Sequence, residues 1–122
     1  KNTWGRYKID AFFKDEEYGK VIDFKTGKYW SNEIGYRDQC SLYACGVFSR
    51  FPDLQNVETE LWYLDHQKIS RFAFSKEEIQ EVQDKFTFRA VAMTEDTEFI
   101  ATPSENACRW CPFKQVCPDY GR

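Results

Sequence analysis

Asp23 and Lys25 stand two residues apart in the run Val21-Ile22-Asp23-Phe24-Lys25-Thr26-Gly27-Lys28. An acid beside an amine is a common way to hold a divalent cation and an attacking water. The run reads as a strand that breaks at glycine. Side chains alternate along a strand, so Asp23 and Lys25 share one face and Ile22 and Phe24 the other. The apolar pair marks its own face as the expected core.

The preceding segment supplies a second acid. Residues 4–13 read as a strand, Asp15-Glu16-Glu17-Tyr18-Gly19 as a polar turn, and residues 20–26 as the returning strand. If the turn centres between Glu16 and Glu17, Asp10 lies directly opposite Asp23. Opposed residues sit about 4.5–5.5 Å apart at Cβ, and like charges there destabilise the pair. A divalent cation between them reverses that sign. The same register gathers Ile9, Ala11, Phe13, Ile22 and Phe24 on the far face as core. A one-residue slip would scramble both sets.

Further elements must frame this hairpin. Residues 32–50 read as a helix, with Ser31 or Asn32 able to cap it and Pro52 ending it. Tyr36, Cys40, Tyr43 and Val47 fall on one stripe of it. Gln39 and Tyr43 are one turn apart and share a side. Residues 57–64 alternate as a third strand. Residues 68–74 make a fourth, across the turn Asp65-His66-Gln67. His66, the one histidine, reads as a surface turn residue. Ser75 with Glu78 forms a capping box for a helix over 75–93, striped by Ile79, Val82 and Phe86. Residues 95–106 read as loop. The order ββαββα predicts an α/β (α+β) fold with a mixed β-sheet flanked by helices.

The second constellation is Cys108-x2-Cys111-x5-Cys117. Thiolates so spaced suit an iron–sulfur cluster or zinc; a disulfide is the redox alternative. Three ligands leave a four-thiolate site open. Cys40 and Cys45 are poor substitutes, because they point about 140° apart on their helix.

Asp10, then Asp23-Phe24-Lys25-Thr26-Gly27, then Gln39-x-x-x-Tyr43, resembles the PD-(D/E)XK nuclease superfamily in its RecB-like exonuclease branch. Cys108-x-x-Cys111-Pro112-Phe113 and Cys117-Pro118 resemble the cysteine cluster of the branch that includes AddB-type helicase-nucleases and a CRISPR-associated exonuclease family. The resemblance implies a restriction-endonuclease-like core. It implies Mg²⁺ or Mn²⁺ held by Asp10, Asp23 and the Phe24 backbone carbonyl, with Lys25 catalytic beside them. It implies DNA contact by Gln39 and Tyr43, and a [4Fe–4S] cluster (or Zn²⁺) on Cys108, Cys111 and Cys117 whose fourth ligand comes from upstream. The expected function is metal-dependent hydrolysis of DNA, on single strands or ends. The alternative is a catalytically weak module that binds nucleic acid or docks on a helicase or recombination partner. Departures are Tyr7, where the family usually has glycine, and the absence of an N-terminal helix.

At 122 residues the chain reads as one domain, 1–122, with 104–122 as a cysteine-rich C-terminal knuckle. It begins at Lys1 rather than a methionine, which reads as a trimmed product. No run approaches the ~20 apolar residues of a membrane span, and no secretion signal opens the chain, so an intracellular protein is expected. The net charge of −3 argues against a broad, sequence-indifferent nucleic-acid coat. Lys68, Arg71, Lys76, Lys85 and Arg89 read mainly as solvated charge. Trp30, Trp62 and Trp110 are candidates for stacking on bases.

Overall fold

The computed structural model describes residues 4–29 and 33–121. Trp30 and the expected caps Ser31 and Asn32 lie outside them. The chain runs β1 (Ala11–Lys14), β2 (Tyr18–Lys25), α1 (Glu33–Arg50), β3 (Asn56–Tyr63), β4 (Lys68–Ser75), α2 (Ile79–Glu95) and α3 (Glu105–Arg109). The four strands make one sheet in the order β1-β2-β3-β4. β1 and β2 pair antiparallel, as do β3 and β4, while β2 and β3 run parallel. A parallel pair needs a crossover, and α1 supplies it. The sheet is therefore mixed, with helices flanking it.

The hairpin register agrees with the sequence reading. Ala11 pairs with Ile22 and Phe12 with Val21, so the next step of the ladder sets Asp10 against Asp23. The first strand is shorter than expected, because regular pairing begins only after Asp10. Asp15 holds the turn, its Oδ1 accepting the N–H groups of Glu17 and Tyr18.

The core lies on the other face from the one expected. Val21, Val57 and Leu61 are fully buried and pack with Cys40, Ala44 and Val47 of α1. Val21 shares its face with Asp23, and Leu61 is Asp23's partner in the ladder. The acid thus points into the layer that α1 covers. Phe13 and Phe24, expected as core, are about half exposed. Both alternation sets of β2 carry apolar residues, so its pattern alone could not say which face α1 would take. Gly19 brings the loop after α1 close: a Cβ there would stand 3.0 Å from the Leu54 side chain.

α2 packs on α1, where Lys85 and Arg89 both bind Asp38. The Ser75–Glu78 box forms in part, the Ser75 N–H donating to the Glu78 carboxylate at 2.9 Å. Regular helix nevertheless starts only at Ile79. The expected loop 95–106 ends in α3, capped by Ser104, whose hydroxyl accepts the Ala107 N–H.

Candidate active site

Four of the expected residues meet on the α1 side of β2. Asp23 is buried, 7% exposed as a residue. The Tyr43 hydroxyl donates to its Oδ1 at 3.2 Å. Gln39 Nε2 donates to the Tyr43 oxygen at 2.9 Å, and Lys25 Nζ donates to Gln39 Oε1 at 3.2 Å. Lys25 Nζ lies 2.8 Å from Asp23 Oδ2 and closes the circuit as an ion pair. Oδ2 is buried and meets that ammonium as an ion pair, not as a well-aligned hydrogen bond.

Each position follows from a local period. Strand alternation puts Asp23 and Lys25 on one face. The four-residue helical spacing puts Gln39 one turn before Tyr43. The α1 crossover lays that turn over the C-terminal end of β2.

The charges are set by these contacts. Burial pulls the Lys25 ammonium down, but the Asp23 carboxylate more than offsets this, and its pKa lies above the ordinary 10.5. Burial raises the Tyr43 phenol, and the Asp23 charge raises it further. Both groups therefore stay protonated at neutral pH: Lys25 is a cation and donor there, not a base, and Tyr43 donates.

Asp10 is exposed at the end of β1, and its Oδ2 accepts the Phe24 N–H at 2.9 Å. The ladder has ended at that level, so the carboxylate takes the place of a further strand residue. This bond ties the second acid to the residue between Asp23 and Lys25.

The turn between β3 and β4 clamps the loop after Lys25, a feature the sequence reading missed. Gly27, with φ +84°, donates its N–H to Asp65 Oδ2 at 2.6 Å. His66 Nε2 stands 2.8 Å from the Gly27 carbonyl, which can only accept, so that nitrogen carries the proton. The usable signal was the parallel register. Lys25 pairs with Tyr63, so the turn after β3 must arrive beside Gly27.

Asp10, Asp23 and the Phe24 carbonyl are oxygen donors of the kind Mg²⁺ or Mn²⁺ prefers. Asp23 Oδ2, paired with Lys25 but not in a well-aligned hydrogen bond, is an atom such an ion would satisfy. The residues fit the ion in that sense, although among the described residues no three His, Cys, Asp or Glu side chains stand close enough to hold a metal.

That finding also covers Cys108, Cys111 and Cys117: among the described residues the three thiols are not gathered into the expected iron–sulfur or zinc site. Each thiol is half-buried, and none is in a disulfide. The segment consists of short turns, such as that closed by the Cys111 N–H on the Cys108 carbonyl. Cys40 is buried in the core, and Cys45 lines a groove between α1 and α2, so neither completes the set. Trp110 is 77% exposed, whereas the Trp62 ring sits edge-on to Phe24 and its indole N–H donates to Glu60.

A family model for the PD-(D/E)XK nuclease superfamily matches residues 7–118. No curated protein matches the chain. A solved structure described as "Crystal structure of SSO0001" is 17% identical, with a TM-score of 0.42 over 92% of this chain and 50% of that one. The chain thus spans about half the length of that protein. On the family match, which covers nearly its whole length, the chain belongs to the PD-(D/E)XK nuclease superfamily.

Proposed function

We propose that this nuclease-superfamily member hydrolyses DNA phosphodiester bonds with Mg²⁺ or Mn²⁺, acting on single strands or ends. The observation that carries the reading is the buried Asp23 carboxylate with one oxygen fixed by Tyr43 and the other facing the Lys25 ammonium without a well-aligned hydrogen bond. Buried polar atoms normally have hydrogen-bond partners, and an exception calls for an explanation such as an ion.

Asp23 and Asp10 would hold the cation, with the Phe24 carbonyl beside them. Bound there, it would polarise the phosphate and lower the pKa of a water. The protein's own groups supply the rest. Tyr43 fixes the rotation of Asp23 by holding Oδ1. Lys25 presents a permanent ammonium for the charge that builds on the phosphate. Gln39 anchors that ammonium through Oε1 and anchors Tyr43 through Nε2, so one amide sets the spacing of both. Single strands or ends are favoured because, among the described residues, no basic element shaped for a groove is evident. The nuclease activity expected here is independent of any metal at the C-terminal cysteines.

One observation favours the second reading, a weakly catalytic module that binds nucleic acid or docks on a helicase partner: no group of three metal-ligating side chains gathers at the site among the described residues. Labelled single-stranded and duplex DNA, incubated with Mn²⁺ or with chelator, separates the readings. Cleavage only with metal, lost in Asp23→Asn, is expected. DNA retarded but intact with Mn²⁺ would overturn the enzymatic reading and favour the second.

A further inference from the structure

Tyr7 precedes the first acid by three residues, in a segment outside the sheet. Its ring leans on Tyr43, centroid to centroid 5.8 Å at 50°. Its phenol end rests on the backbone of α1 at Gly46. A Cβ placed on Gly46 would stand 1.0 Å from the Tyr7 hydroxyl oxygen and 2.1 Å from its Cζ. Gly46 lies well inside α1, where glycine is a poor helix former. Its lack of a side chain opens the seat that Tyr7 occupies.

The contact links two parts of the site that are remote in sequence. Tyr43 holds Asp23 Oδ1, and Asp10, three residues after Tyr7, holds the Phe24 N–H. We propose that Tyr7 is a positioning residue: seated on Gly46 and against Tyr43, it locks the segment carrying Asp10 to the helix carrying Gln39 and Tyr43, and so sets the two acids for a shared ion. This rests on the nuclease reading of Asp10 and Asp23. Tyr7 touches neither acid and acts through its neighbours. The ring, not the hydroxyl, supplies the contact to Tyr43, so phenylalanine at position 7 preserves it.

The pair can be separated from general stability, because Gly46→Ala improves helix propensity while it evicts the Tyr7 ring. The full chain is compared with Gly46→Ala, Tyr7→Ala, Tyr7→Phe and the double variant Gly46→Ala/Tyr7→Ala. The measurements are the Mn²⁺ concentration for half-maximal DNA cleavage and the amide exchange rate of Phe24 by NMR without metal. Gly46→Ala and Tyr7→Ala should each raise the Mn²⁺ requirement about tenfold and speed Phe24 exchange about tenfold, with exchange within β3 and β4 unchanged. Tyr7→Phe should stay within about threefold of the parent. The double variant should be no worse than Tyr7→Ala, since the seat is already empty. Parental Phe24 exchange in both single variants, or additive effects in the double, overturns the proposal. The exchange measurement needs no catalysis, so an inactive parent would defeat the nuclease reading while leaving the Tyr7 lock to be decided by Phe24.

Discussion

Asp23 and Glu60 are both buried carboxylates on neighbouring central strands, and they face opposite sides of the sheet. Glu60 is fully engaged. Its Oε1 accepts from Lys20 Nζ at 3.0 Å and Arg71 Nε at 3.2 Å, and its Oε2 accepts the Trp62 indole N–H at 2.7 Å. Asp23 has one donor on Oδ1, while its Oδ2 meets Lys25 as an ion pair without a well-aligned hydrogen bond. Equal burial therefore has different meanings on the two faces. A carboxylate whose oxygens all have donors has its partners already and holds the fold together. One left half-satisfied beside a cation is poised to take a further ligand.

The comparison makes crossed predictions, of which the Asp23 arm is the largest. Asp23→Asn should lower Mn²⁺-dependent cleavage by about a thousandfold or more, since charge at the proposed metal ligand is lost. Glu60→Gln should act on stability instead. Cleavage stays within about threefold, and the urea midpoint falls by an amount worth about 1–2 kcal/mol, the scale of lost hydrogen bonds to a charge. Paired activity assays and urea titrations check this. A Glu60→Gln variant that loses cleavage as completely as Asp23→Asn would break the distinction between the faces.

Lys25 comes next. Lys25→Met keeps the stem and removes the charge, so cleavage should drop about a hundredfold, the scale of losing one electrostatic donor in the transition state. With its pKa raised above 10.5, the ammonium is present throughout the neutral range. The pH–rate profile should then show no loss assignable to Lys25 between about pH 7 and 10. A base limb near pH 8 that disappears in Lys25→Met would show that Lys25 titrates in the working range and that its role is misassigned.

The acid side sharpens the Glu60 arm. Burial pushes the Glu60 carboxyl up, but the Trp62 N–H, Lys20 and Arg71 outweigh it and hold it at about 2, below the ordinary 4.5. A depressed folded pKa gives stability that is present above the unfolded value and lost as pH falls through the folded one. The folded protein should therefore lose stability progressively from about pH 4.5 down to about 2. Glu60→Gln should flatten that part of the curve, as followed by thermal melts across the range.

The chain's sequence made one of these two environments legible. Asp23 and Lys25 fell on one face by strand period, and Asp10 could be set against Asp23 because the turn Asp15–Gly19 fixed the register. Gln39 and Tyr43 followed from helical spacing. What escaped was the choice of faces. Val21 and Ile22 are adjacent and both apolar, and only the landing of α1 decides that Val21 meets the main core. The Glu60 cluster escaped for a similar reason. Its members come from β2, β3 and β4, and a side-chain contact that spans forty residues, such as Lys20 with Glu60, has no local signature. The same holds for the Asp65–His66 clamp and for Tyr7 on Gly46, each a contact between segments distant along the chain.

The smallest expected effect concerns the cysteines, where local spacing was a strong signal and the fold does not add to it. Asp23 lies on a strand paired on both sides and covered by α1. Cys108, Cys111 and Cys117 lie in turns whose backbone hydrogen bonds close within a few residues, and α3 has no buried residue. Nothing long-range there gathers three sulfurs to a point, whereas register and crossover gather Asp23, Lys25, Gln39 and Tyr43. The variant carrying Cys108→Ser, Cys111→Ser and Cys117→Ser should accordingly cleave DNA within about twofold of the parent, with a melting temperature within about 2 °C, a shift well below 1 kcal/mol for a chain of this size. Elemental analysis of the parent and of this variant shows whether iron or zinc binds there at one ion or cluster per chain. Stoichiometric metal in the parent that vanishes with the three serines, together with a fall in melting temperature, would mean that thiolate spacing alone builds a site here.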